Sequence, residues 1–87
     1  MNKHIQIKVS GRVHGIGFRF SAYEKFVELG LLGKAENVPG GLVINAEGSE
    51  DKLSTFVDWC RIGPSGAKVE NVEVMELSEP FIPLKTS

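Results

Sequence analysis

Two helical periods and several extended apolar runs, set along 87 residues in the order β-α-β-β-α-β, argue for an α+β domain. Pro39-Gly40-Gly41 falls between the second and third extended runs, so those two strands are expected to pair as a hairpin. A split βαβ order with a central hairpin is that of ferredoxin-like sandwiches, in which two helices cover one face of an antiparallel sheet.

Each element has its own reason. His4 to Val9 alternates, with Ile5, Ile7 and Val9 on one side, as a half-buried strand does. From Phe20 to Leu29 the period becomes helical: Ala22, Phe26 and Leu29 share a stripe, Tyr23 and Val27 flank it, and Gly30 suits the left-handed position just past a helix. Leu31 to Val38 and Leu42 to Ala46 read as the two arms of the hairpin. The second helix has the cleanest period, with Leu53, Phe56, Val57 and Cys60 at i, i+3, i+4 and i+7. Ser49 is its expected N-cap, Glu50 and Asp51 complement its positive end, and Gly63-Pro64 stops it. Val69 to Leu77 forms a further strand whose phase breaks, Val72 and Val74 on one parity and Met75 and Leu77 on the other. A bulge or a strand end facing both ways would produce that. Phe81 and Ile82, between Pro80 and Pro83, read as a short edge strand.

With 41% hydrophobic residues the chain has material for one core, so a single domain over residues 1–87 is expected. The lone Cys60 excludes an internal disulfide or a thiolate metal cluster and fits a reducing compartment. No apolar run approaches the ~18 residues of a membrane span, and Met1-Asn2-Lys3-His4 leads into a strand instead of a signal-peptide core. A cytoplasmic protein with no membrane partner is expected.

Charge is unevenly placed. Residues 1 to 23 hold Lys3, Lys8, Arg12 and Arg19 and no acidic residue, so a formal net charge of −1 conceals a +4 segment and a −5 remainder. Such a split favours a small anion near the first segment. It disfavours nucleic acid as a partner, because a polyanion needs a basic stripe.

The positive segment contains the chain's most informative stretch, Ser10-Gly11-Arg12-Val13-His14-Gly15-Ile16-Gly17-Phe18-Arg19, which leaves a strand and enters a helix. Its three glycines free the backbone to curl with N–H groups turned inward, and the helix adds its own unpaired N–H groups and positive dipole end. Arg19, at the helix start, carries a planar fork of donors suited to phosphate. Other readings of the fold fail on residue type: one cysteine makes no soft-metal carrier, the strands lack the stacking aromatics of an RNA-binding sheet, and no Walker string occurs. Gly15-Ile16-Gly17 is too short to signal a dinucleotide.

The stretch Gly11-Arg12-Val13-His14-Gly15-Ile16-Gly17-Phe18-Arg19 resembles the acylphosphatase signature G-x-V-Q-G-V-G-F-R, and Gly33-Lys34-Ala35-Glu36-Asn37 stands in the place of that family's G-W-V-x-N element. Agreements continue at Leu29-Gly30-Leu31, Gly40, Gly48, Gly63-Pro64, Ala67, Val69, Val72 and Val74, so the likeness spans roughly residues 5 to 82. The resemblance implies hydrolysis of a small-molecule acyl phosphate to a carboxylate and inorganic phosphate by direct attack of water, with neither metal nor cofactor. It implies that Arg19 and Asn37 are catalytic, Arg19 binding the phosphoryl group and Asn37 orienting the water. The substrate-binding set it implies is His14, Gly15, Ile16, Gly17, Phe18 and Arg19, whose main-chain amides complete the cradle. A monomer is the matching expectation.

Chemistry is consistent with that assignment. A carboxylate leaving group has a conjugate-acid pKa of about 4, so it departs at neutral pH unprotonated and no strong general acid is needed. Positioning and charge stabilisation then carry the reaction. The rival reading is a non-catalytic anion-binding module, favoured by Lys34 and Glu36 where the family has an aromatic and often a basic residue. In an extended strand both would face away from Asn37. His14, where the family has glutamine, is expected to pack in the loop; if it touched substrate, activity would vary between about pH 5 and 8. His4 is expected on an exposed strand face, Cys60 in the core, and Tyr23 and Trp59 as packing residues.

Overall fold

The computed structural model describes residues 2–77; the edge strand expected at Phe81 and Ile82 lies outside them. Six elements follow in order: β1 (Asn2–Arg12), α1 (Phe18–Leu29), β2 (Leu32–Val38), β3 (Gly41–Ser49), α2 (Glu50–Ile62) and β4 (Lys68–Leu77). The strands form one antiparallel sheet in the order β2-β3-β1-β4, which puts β1 and β3 at the centre. This is the ferredoxin-like sandwich expected from the sequence.

One face of the sheet supplies the core. Ile5, Ile7 and Val9 of β1 and Leu42, Ile44 and Ala46 of β3 are buried against Phe18, Ala22 and Phe26 of α1 and Leu53, Phe56 and Cys60 of α2. Aromatic rings join the two helices: Phe26 and Phe56 have centroids 5.0 Å apart, and Trp59 meets Phe18 edge-on at 5.3 Å. Trp59 thus packs as expected.

Several boundaries move for identifiable reasons. β1 continues past Val9 because Gly11 and Arg12 pair with Val69 and Lys68 of β4. β3 extends to Ser49 because β1 offers it partners from Asn2 to Ser10. Neither extension has an apolar period to announce it. α1 begins at Phe18, two residues early, since Phe18 is buried beside Trp59. Val27, expected to flank the buried stripe, is instead exposed. The end of α1 matches expectation in detail: Gly30 is left-handed, its N–H donates to Val27, and the Leu31 N–H donates to Phe26 at 2.8 Å, the two bonds of a Schellman motif.

Ser49 occupies the N-cap position of α2 in extended backbone, without a side-chain capping bond. In β4 a bulge does occur, but ahead of the phase break, which is itself the strand end facing both ways. Ser10 faces Asn71 and Gly11 faces Val69, so Glu70 is the extra residue, and both Val69 and Val72 come to pack on the core. Val74, opposite Ile7, and Met75, opposite Gln6, then lie on opposite faces of this edge strand, and both are largely exposed. His4 differs from expectation, being half-buried with its Nε2 3.3 Å from Asn45 Oδ1 on the neighbouring strand.

Candidate active site

The segment between β1 and α1 turns on two left-handed glycines, Gly15 (φ 75°) and Gly17 (φ 77°), the second being the N-cap of α1. The Gly17 carbonyl accepts the first helical bond, from the Ser21 N–H at 2.9 Å. Among the described residues, the N–H groups of residues 14–20 donate to no backbone carbonyl in good geometry. The positive end of the helix dipole lies at the same place. No acidic residue occupies the first turn. Arg19, second in the helix, is exposed and has no ion-pair or hydrogen-bond partner among the described residues.

The β2–β3 hairpin braces this loop. Gly11 N–H donates to the Gly40 carbonyl at 3.2 Å, and His14 Nε2–H donates to the Gly41 carbonyl at 2.6 Å. That bond requires the proton on Nε2. His14 therefore acts as the loop-packing group its chemistry allowed, its ring tied to the hairpin.

Asn37 comes from the far end of β2, an edge strand. It shares a strand face with Ala35, which is buried toward the helices, while Lys34 and Glu36 share the other face and pair at 3.0 Å. Their departures from the family pattern are thus directed away from Asn37. Tyr23 joins α1 to β2: its hydroxyl accepts from the Ala35 N–H at 3.0 Å.

These pieces meet in one cleft of about 320 Å³ lined by Gly17, Arg19, Phe20, Tyr23 and Asn37. Of the residues expected at a site, Gly17, Arg19 and Asn37 are brought together. Phe18 and Ile16 turn their side chains inward, Phe18 fully buried and Ile16 packed on the core, so only their backbone faces the loop. Gly15 shapes the turn without lining the cleft. Sequence reasoning missed Phe20 and overlooked the second role of Tyr23. The signal was present in helical spacing, because Tyr23 lies at i+4 from Arg19 and i+3 from Phe20.

Elsewhere chemistry is quiet. Burial pushes the Cys60 thiol up to about 12, so at neutral pH it is an inert core group. A groove between α2 and β4 holds Lys3, whose ammonium pairs with Glu50 at 3.3 Å and Glu76 at 3.7 Å. The hydrogen bond and charge of Glu50, then the charge of Glu76, hold its pKa above the usual lysine value. Among the described residues no three of His, Cys, Asp and Glu gather as a metal site, and no helix is long and apolar enough to cross a membrane.

Comparison with known proteins shows the family. The family model described as Acylphosphatase matches residues 5–81. An acylphosphatase of Thermus thermophilus is 49% identical over 67 residues, 76% of each chain. One from Methylococcus capsulatus is 40% identical over 77 residues, covering 87% of this chain and 84% of that protein. Among solved structures, an acylphosphatase from Coxiella burnetii superposes with a TM-score of 0.89 at 32% identity, over 94% of this chain and 87% of its own.

Proposed function

The chain belongs to the acylphosphatase family and hydrolyses the carboxyl–phosphate bond of acyl phosphates, and from that premise we propose how its residues divide the work. The N–H groups of the 14–19 segment and the guanidinium of Arg19 hold the phosphoryl oxygens, where negative charge concentrates during transfer. The Asn37 carboxamide oxygen accepts a hydrogen bond from a water and holds its lone pair toward phosphorus. Oxygen of that water bonds to phosphorus as the P–O bond to the acyl group breaks. The electron pair leaves with the carboxylate, and the proton of the water passes to phosphate or solvent. Since the carboxylate departs as an anion, the scheme needs no acid beside it.

One observation carries this reading: Arg19 from the first turn of α1 and Asn37 from the end of β2 line the same cleft with Gly17. Family membership favours the hydrolase over a non-catalytic anion-binding module. Hydrolysis of benzoyl phosphate in the presence of a chelator tests it. Turnover is expected to persist, and to fall about 10²–10³-fold in Arg19→Ala with the circular-dichroism spectrum unchanged. Near-normal turnover in that variant would remove Arg19 from the mechanism.

We read the protein further as a cytoplasmic monomer, in keeping with its single buried thiol. Cell fractionation and sedimentation check the two halves of that statement.

A further inference from the structure

A singly exposed apolar side chain needs no explanation, but the place of Phe20 does. Its side chain is spared by the core, 69% exposed, and lines the cleft beside Arg19 and Asn37. Tyr23, one turn further on, continues the wall. Its ring packs edge-on to Phe26 with centroids 5.3 Å apart, and its hydroxyl is held by Ala35, so the ring is fixed in place. The cleft consequently has two kinds of lining: backbone, guanidinium and carboxamide from Gly17, Arg19 and Asn37, and aromatic surface from Phe20 and Tyr23. Among the described residues it presents no carboxylate and no second cation.

An acyl phosphate is divided in the same way, into an anionic phosphoryl group and an acyl group of variable character. We propose that Phe20, backed by Tyr23, forms the acyl subsite and selects substrates whose acyl group is apolar and about the size of an aromatic ring. The inference rests on the reading of Arg19 and Asn37 as the phosphoryl end of the cleft. A ring or branched alkyl group laid on Phe20 removes two apolar surfaces from water at once, whereas an acetyl group is too small to cover the ring. An acyl group bearing its own carboxylate would shed water against aromatic carbon, with Arg19 already committed to the phosphoryl oxygens. The cleft, at about 320 Å³, is large enough for a phosphoryl group and one ring together.

The test compares kcat/KM for benzoyl phosphate and acetyl phosphate in the wild type, Phe20→Ser and Phe20→Leu. In Phe20→Ser, kcat/KM for benzoyl phosphate is expected to fall about tenfold or more while that for acetyl phosphate changes little. Phe20→Leu, which keeps an apolar surface, is expected to retain most of the ratio. Competitive inhibition by inorganic phosphate should be the same in all three. Phe20 is exposed, so both replacements leave the core intact, and a thermal melt checks it. An unchanged ratio in Phe20→Ser, or an equal fall for both substrates, overturns the acyl subsite and leaves the phosphoryl site standing. A wild type that hydrolyses neither substrate overturns both readings together, and unaltered phosphate inhibition in Arg19→Ala overturns the phosphoryl site separately.

Discussion

His14 shows how one side chain can tie a loop to a distant hairpin. Its Nε2–H closes a 2.6 Å bond to the Gly41 carbonyl, tying the loop between β1 and α1 to the hairpin whose other arm carries Asn37. Neutral imidazole with the proton on Nε2 and imidazolium both donate there, so the contact survives protonation. Glutamine, the residue the family signature has at this position, carries an amide N–H able to donate to the same carbonyl. His14→Gln is therefore expected to keep most of the activity and an unchanged pH profile between about 5 and 8. His14→Ala removes the tether and should cost about 0.5–1.5 kcal/mol in stability, with a larger proportional loss in kcat/KM because the loop is misplaced. Chemical denaturation alongside steady-state kinetics separates the two effects. A His14→Gln variant as impaired as His14→Ala would show that the imidazole has a direct part. At this scale the meeting of Arg19 and Asn37 in one cleft was legible because a motif announces both. The helical spacing of Phe20 and Tyr23 was legible too, but not the cleft they line, which forms only where the edge of β2 lies beside α1.

Among elements, the contact of α1 with β2 decides whether a cleft exists. Gly33 permits it: a Cβ at this position would stand 2.5–2.7 Å from ring atoms of Phe26, which is itself buried and stacked on Phe56. Gly33→Ala is expected to destabilise the fold by about 1–3 kcal/mol by forcing the helix and the edge strand apart, readable as a lower denaturation midpoint. Equal stability would mean that the Phe26 ring repacks freely. The helix ends and the hairpin could be read from Gly30, Gly63 and Pro39-Gly40-Gly41 because turn chemistry is local. The full lengths of β1 and β3 could not. Ser10-Gly11-Arg12 and Glu47-Gly48-Ser49 carry no alternating apolar signal, and what makes them strand is the partner alongside. Glu70 likewise bulges for a reason visible only in pairing, and the parity break at Val74 and Met75 lies outside it, in regular register.

For the molecule as a whole, the burial of every core group is a single cooperative fact, and Cys60 offers a way to read it through pH. Its side chain is fully buried on α2, and loss of water raises its pKa from an ordinary thiol's 9.0 to about 12, a shift that Arg61 opposes only weakly. Below pH 9 the folded and unfolded chains both hold this proton, and Cys60 adds nothing to the pH dependence of stability. Between pH 9 and 12 only the unfolded chain gives it up, so the folded chain binds more protons and stability falls as pH rises. The loss expected from this group is roughly 1–3 kcal/mol by pH 11. Cys60→Ala isolates it, since every other titrating group is shared with the wild type. That variant should begin about 1–3 kcal/mol less stable at neutral pH, having lost a buried atom, yet decline less steeply above pH 9. Urea titrations at intervals from pH 7 to 11 would give both curves. Parallel decline of the two proteins would mean that Cys60 reaches water in the folded state, and with it that the α2 side of the core opens more readily than its packing implies.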